Sequence, residues 1–402
     1  MSGDADLVRI FLGWIGWRAA LHRGWWLVTS VYLVVDARLS PSELVLIGVA
    51  QGTVALAFEV PAGVVADTIS RKWSLVVSHV LMGTAMIATG SVTDFAPLVA
   101  TQILWGLSWT FSSGADVAWI TDELAEPGRI AVVLVRAGRA ELVGSAAGIV
   151  GVGAVASLLQ RSTAMTIAGA AMLLLGLYVA FRFPEQFEHA STKRWAASRS
   201  ILARGWDLVR HDRAILLMFA ATFLVNGAAD ASGRMQPRRL VELGLPSEPV
   251  VWFAALGVLI LLVGSLALRV VQLYIDGAST AVRGYAIACA AGAIGLMGLA
   301  VAPEVVSGSA AVLLFGGIAV PLTRTIATIW VNRQTSDDVR ATVHSFLAQA
   351  EYSGEIACGL AIAAVAQLGS LTLALLACGA LFATTIVLVQ GLGTSGNAKT
   401  AG

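Results

Sequence analysis

Apolar residues along this chain do not alternate with polar ones, nor do they gather into the short bursts typical of strands. They form long continuous runs separated by brief polar breaks. A helix of about 20 apolar residues crosses ~30 Å of hydrocarbon. Twelve such spans are predicted, over 10–34, 43–66, 73–93, 97–121, 139–160, 163–183, 214–232, 249–275, 280–302, 306–331, 342–367 and 369–392. One long polar stretch, Arg182 to Arg213, divides them six and six. The expected fold is an all-α membrane protein of twelve transmembrane helices, in two six-helix bundles (a 6+6 pseudo-repeat) around a central cavity. Residues 1–183 would form the N-terminal bundle, 184–213 a cytoplasmic linker, and 214–402 the C-terminal bundle. Within the linker Trp195, Leu202, Trp206 and Val209 recur at helical spacing opposite Arg199, Arg204 and Arg210. That pattern predicts an amphipathic helix lying on the membrane surface.

A weak repeat supports two related halves. At a constant offset of 211 residues Gly106 matches Gly317, Trp119 matches Trp330, Arg129 matches Arg340 and Gly148 matches Gly359. Parallel repeats of this kind surround a central substrate path in secondary transporters.

Composition agrees with the pattern and narrows the function. Of 402 residues, 57% are hydrophobic and 13% charged, against roughly 25% charged in soluble domains. A net charge of +1 leaves no electrostatic footprint for nucleic acid. Cys289, Cys358 and Cys378 all fall inside apolar runs and read as packing residues. The five histidines are scattered, and no phosphate loop, metal-ligand spacing or nucleophile motif occurs in an aqueous segment. An enzyme is therefore disfavoured, and no metal or cofactor is expected. The stretch Met1 to Leu7 lacks the basic flank of a cleaved signal peptide, so the first apolar run is expected to stay as a membrane span.

Lysine and arginine concentrate in alternate connections, among them Arg71, Lys72, Arg129, Arg136, Arg182, Arg213, Arg269, Arg283, Arg333 and Arg340. The positive-inside rule then places these loops and both termini in the cytoplasm, in a multi-pass protein of the cytoplasmic (inner) membrane. One outer loop dissents, the basic run Arg234 to Arg239.

Residues 59–72, Glu59-Val-Pro-Ala-Gly63-Val-Val-Ala-Asp67-Thr-Ile-Ser70-Arg71-Lys72, join two spans. Gly63 would let the end of span two approach a neighbour closely, Asp67 can face a helix N-terminus, and Arg71 and Lys72 can pair with Asp122 or Glu123. The spacing Gly-x-x-x-Asp-x-x-x-Arg-Lys resembles the signature loop of the major facilitator superfamily of secondary transporters. Leu104 to Gly114, Trp119 to Glu123 and Arg340 to Ser345 look like a bacterial subgroup of it, usually described as drug or metabolite exporters. The resemblance implies that Gly63, Asp67, Arg71 and Lys72 form a cytoplasmic gating loop. The chain departs from the pattern at Ser70, where the family usually has Gly, and in span five, which lacks the exporters' Pro. There, Gly144, Gly148, Gly151 and Gly153 point first to close helix packing.

Ionisable groups inside spans are costly and point to function. Arg18, Glu59 and Asp116 fall at similar depth on three spans of the first half, at ~1.5 Å rise per residue. They form either a proton-sensitive cluster or a structural ion pair. Trp105, Trp109, Ser112, Asp116 and Trp119 follow steps of four and three, so they share one face of span four. That face suits a flat or cationic organic molecule, or serves as interfacial packing. In the second half Glu351, Tyr352 and Glu355 lie on span eleven, with Arg324 on span ten as the natural partner and Asn226 and Asp230 on span seven nearby.

The leading expectation is a proton-coupled antiporter, exporting a small organic compound of drug or metabolite type by alternating access. It would act as a monomer in the bilayer, with the small-molecule substrate and protons as its partners. The alternatives are uptake of a small organic anion, favoured by Arg18 and Arg324, and a non-transporting receptor or assembly protein on the same scaffold.

Overall fold

The computed structural model describes residues 2–124, 127–185, 210–275, 277–336 and 339–399, and these form helices with no strand among them. The helices are α1 (Ser2–Val35), α2 (Pro41–Thr68), α3 (Arg71–Thr89), α4 (Phe95–Ser112), α5 (Ala115–Glu123), α6 (Ile130–Leu158) and α7 (Arg161–Arg182), then α8 (Arg213–Glu242), α9 (Pro249–Tyr274), α10 (Ala278–Val301), α11 (Val305–Val312), α12 (Val320–Gln334), α13 (Arg340–Leu368) and α14 (Leu371–Lys399). They supply the twelve spans, with α4 and α5 together forming the fourth. The tenth is α11 and α12, joined by a π-helical stretch Leu313–Ala319. Pro321 lies just beyond that stretch and has no N–H to offer the preceding turn, a local cause for widened helical pairing.

Eight of the described helical stretches are long and apolar enough to cross a membrane by length and composition. Three of the spans that fall short of that apolarity are α1, α4–α5 and α13. They are also the spans that carry Arg18, Asp116, Glu351 and Glu355. The spans that carry Glu59, Asp230, Arg234 and Arg324 keep that apolarity despite their charges.

The chain gathers into two compact units. The first comprises Met1–Leu39, Thr53–Ala190 and Ser247–Val258; the second comprises Ser40–Gly52, Ser191–Pro246 and Leu259–Gly402. Contacts therefore assign the first part of α2 to the unit built mostly of later helices, and the first part of α9 to the unit built mostly of earlier ones. The amphipathic segment expected around Trp195 to Val209 lies outside the described residues.

Glycines set the tightest seam of each unit. In the first, a Cβ on Gly144 would collide with the Gly16 carbonyl, and one on Gly148 with the Ala20 carbonyl, so the backbones of α1 and α6 touch. In the second, Gly227 and Gly354 do the same for α8 and α13. Gly227 follows Gly16 by the 211-residue offset of the repeat. Small residues allow this approach, and dispersion across the seam stabilises it where lipid gives no hydrophobic driving force.

Three expectations need correction. Span four is not one continuous helix: α4 ends at Ser112, and Gly114 takes a left-handed φ of 72° before α5 begins. Arg234 to Arg239 is not a loop, because α8 runs on to Glu242. Arg239 there donates to the Leu299, Ala300 and Ala302 carbonyls at the end of α10. Gly63 makes no close approach, since a Cβ there would meet nothing within 4 Å.

Candidate functional site

The break at Gly114 organises the polar centre of the first unit. Because α4 stops and α5 restarts, Ser112, Ser113 and Asp116 are presented together at the interruption. Arg18 of α1 reaches them: its Nη2 donates to Ser112 Oγ at 2.6 Å, and its Nη1 stands 3.6 Å from Asp116 Oδ2. Glu59 of α2 accepts from Ser113 Oγ at 2.7 Å through one oxygen. Its other oxygen is buried without a partner. The three residues expected at one depth thus converge on one break, with Arg18 and Asp116 paired and Glu59 held through a serine.

Aromatic rings continue the site along α1 and α4. His22 stacks on Trp105 with centroids 5.4 Å apart and planes 16° apart, and Trp105 stacks on Trp109 at 6.3 Å. Trp25 and Trp26 close on the same Trp105 ring at 6.3 and 5.2 Å. The Arg18 guanidinium lies 5.5 Å from the ring centroids of both Trp14 and Trp109, within cation–π range. Trp105 Nε1 and His22 Nε2 are buried with no hydrogen-bond partner. Such groups are costly to leave unmade. Trp119 does not join the row. The break turns it toward Phe183, which it stacks at 4.1 Å, and its Nε1 donates to the Pro184 carbonyl at 3.0 Å.

The 59–72 loop forms a second node of the first unit. Arg71 bonds Asp122 and the Ala118 carbonyl (2.9 Å) of α5, and sits 3.5 Å from Asp67. Asp67 itself is 65% exposed. Lys72 lies over the neighbouring Trp73 ring at 5.9 Å. Ser70, which stands where the resembled family has Gly, caps α3 by accepting from Trp73 N at 2.9 Å and also donates to Glu185.

In the second unit Arg324 Nη2 is 3.2 Å from Glu351 Oε2, the pairing expected from the sequence. Asp230 binds Arg234 one turn on at 2.9 Å, and Arg234 Nη2 donates to Gln51 Oε1 at 2.6 Å. Glu355 packs against the backbone of Gly52, where a Cβ would lie 3.3 Å from its Oε2. Among the described residues it has no ion-pair partner. Asn226 turns back to the Thr222 carbonyl at 3.0 Å, a bond within its own helix. Tyr352 is half-buried beside Glu351 on α13.

Sequence reasoning missed Gln51, Arg234, His22 and Ser113 as parts of these nodes. Arg234 was visible only as an anomaly, a cation on the wrong side of the charge bias. Its place one turn after Asp230 is the signal that could have identified it, since opposite charges four apart on a helix pair. Among the described residues no group of three or more His, Cys, Asp or Glu is placed to hold a metal ion.

Both units therefore hold charged groups on their helices, and in these clusters, among the described residues, Glu59 and Glu355 are the carboxylates without a cation. Ionisable groups on such helices mark a functional site in a membrane protein. Comparison with known proteins agrees. Among solved structures the fold is similar to nucleoside transporter NupG, with a TM-score of 0.77 at 14% identity, covering 96% of this chain and 99% of that one. It is similar to a bacterial homologue of the human lysosomal transporter Spinster, with a TM-score of 0.74 at 13% identity and 97% coverage of each chain. A POT family transporter in complex with a thioalcohol-conjugated peptide gives a TM-score of 0.73 at 10% identity, covering 96% of each. No curated protein matches the chain by sequence. The family model of the Major Facilitator Superfamily matches residues 10–357, most of the chain, and the protein belongs to that superfamily of membrane transporters.

Proposed function

We propose that the protein is a proton-coupled secondary transporter that exports a small, planar organic compound by alternating access. The observation that carries this reading is the charge pattern of the spans. Arg18, Arg234 and Arg324 each stand in an ion pair with an acid, whereas Glu59 and Glu355 have none among the described residues. A carboxyl group without a cation in a low-dielectric setting is where a proton binds most readily.

The aromatic row of the first unit supports a flat substrate. The Trp109 face already holds the Arg18 guanidinium, whose charge is met by Asp116. A second cation there would be repelled by Arg18, and an anion would find that guanidinium already matched. An uncharged ring system bearing an acceptor for Trp105 Nε1 fits both facts. Uptake of an anion would require Arg18 or Arg324 to be free, so the pairing favours the neutral solute. The solved structures of similar fold carry names from transport of nucleosides and peptides, which supports a solute of this size without choosing it. The resemblance to drug and metabolite exporters supports export, with protons running inward against the solute.

The test is flux in proteoliposomes under an imposed pH gradient, using a panel of planar neutral, cationic and anionic compounds. Gradient-driven movement of neutral compounds out of the compartment equivalent to the cytoplasm is expected. Flux indifferent to the gradient would remove proton coupling, and selective movement of anions would reverse the substrate assignment.

A further inference from the structure

We infer that Glu355 is the proton site of the second unit and that its charge opens and closes a clasp between Arg234 and Gln51. The inference rests on the proton-coupled reading above. It begins with α2, a helix shared by both units: Ser40–Gly52 belongs to the second and the residues from Thr53 onward to the first. Whatever docks the 40–52 segment therefore bears on the covalent link between the units.

Docking of that segment within the second unit is close, with Leu44, Val45 and Ile47 buried and polar contacts at its 48–52 end. Gly48 lies against the Asp230–Arg234 pair of α8, so that any Cβ there would strike both side chains. Gln51 accepts from Arg234 Nη2 at 2.6 Å. Gly52 lies against Glu355 of α13, and Val49 fills the space left by Gly359. A glycine at 48 and another at 52, one turn apart, expose the α2 backbone to an ion pair on one helix and a lone carboxylate on the next.

The groups that set the charge here are Asp230 and Arg234 on α8, Arg324 on α12, and Glu351 with Glu355 on α13. Three carboxylates face two guanidiniums, which leaves one negative charge, and a single proton brings the group to neutrality. Arg324 is engaged by Glu351 and Arg234 by Asp230, so Glu355 is the member left to take that proton. Protonated, it leaves Arg234 to Asp230 and Gln51, and α2 stays docked. Ionised, it competes for Arg234, the only guanidinium of the group that also reaches α2 among the described residues, and draws it from Gln51. The Gln51 amide oxygen is the weaker partner, because it is neutral and a carboxylate is not.

The measurement is a pair of nitroxide labels within the second unit, at Pro41→Cys and Glu242→Cys, in full-length protein in lipid nanodiscs. Electron–electron distances are read at pH 5 and pH 9; the three native cysteines are buried and stay unlabelled. A narrow, short distance at pH 5 and a longer, broader one at pH 9 are expected. Glu355→Gln is expected to give the short distance at both values. Gln51→Leu, which leaves Glu355 intact, is expected to give the long one already at pH 5. A distance that ignores pH, a pH response that survives Glu355→Gln, or a short distance in Gln51→Leu at pH 5 would each overturn the inference. Proton-driven flux in liposomes is scored separately. If it persists while the distance fails to respond, the clasp is wrong and proton coupling stands. If native flux ignores the gradient, the coupling itself is wrong.

Discussion

Arg161, the first residue of α7, donates from Nε to Asp36 Oδ2 at 2.6 Å, joining the start of the α1–α2 connection to the start of α7. The same guanidinium donates from Nη1 to Glu248 at 2.9 Å, just before α9. Glu248 opens the 247–258 segment that belongs to the first unit, where Gly153 meets Val250 and Ala254, and Gly257 meets Ile149 and Leu27. One fork holding two carboxylates is a geometry that arginine supplies and lysine does not. Arg161→Met should therefore leave two acids facing each other and loosen that segment. After discounting for partial exposure, a loss of about 1 kcal/mol is expected. Amide exchange of residues 247–258 checks it: faster in Arg161→Met, intermediate in Arg161→Lys, and unchanged in the 40–52 segment of the other unit.

The Arg18–Asp116 pair predicts an asymmetry between single and double substitutions. Asp116→Asn leaves the guanidinium without its counter-charge, held by Ser112 and the Trp14 and Trp109 faces, and removing one partner of a buried pair costs ~3–5 kcal/mol. Replacing both, as in Arg18→Met with Asp116→Leu, should cost less than either single change. Thermal unfolding in detergent measures stability, and binding of a planar neutral probe in the same samples measures the site. The double variant should recover stability without recovering binding, because Arg18 also orients Trp109. Recovery of both would show the pair to be structural only.

The glycine seams give a sharper contrast. Gly148→Val places side-chain atoms where the Ala20 carbonyl sits, and Gly227→Val does the same against Gly354. Backbone cannot yield as a flexible side chain can, so each should lose ~1–3 kcal/mol or fail to fold. Gly151→Val, on the same helix as Gly148 but with nothing within 4 Å of its Cβ, should be tolerated. Melting temperature and monodispersity in detergent distinguish the three. An equal loss at Gly151 would mean that helix propensity, not the seam, governs this helix.

How far the sequence could be read depends on what each feature needs. Span number and the two-half division were legible because twenty apolar residues in a row admit few other structures. Arg324 with Glu351, and Arg71 with Asp122, were legible because a charge on or beside an apolar span seeks its opposite on a neighbouring one. The break at Gly114 was not, since a lone glycine in an apolar run is compatible with helix, and only neighbours decide whether it takes a positive φ. Trp119 was misplaced for that reason: helical spacing assigned it to the Trp105 face, and the interruption redirected it to Phe183. The Gln51–Arg234 bond joins residues 183 apart, and nothing local to either position announces it.

Ser70 tests how the chain tolerates its departure from the family pattern. Its hydroxyl accepts from Trp73 N, satisfying one of the unpaired donors at the start of α3, and donates to Glu185 beyond α7. Replacing a serine cap by alanine costs about 1 kcal/mol, whereas glycine at the same position costs only a few tenths. Ser70 has φ −175° and ψ 128°, an extended conformation open to any residue, so glycine brings no relief of strain there. Ser70→Gly should thus restore the family residue with a small loss of stability, and Ser70→Ala should lose more. Neither should alter the Arg71 bonds to Asp122 and the Ala118 carbonyl, which come from a separate side chain. Arg71→Gln should do the reverse, sparing the cap while weakening the loop. If the loop acts as a cytoplasmic gate, Arg71→Gln should slow flux in proteoliposomes without changing probe binding, while Ser70→Gly leaves flux near native. A stronger flux defect in Ser70→Gly than in Arg71→Gln would move the gating role from the arginine to the helix cap.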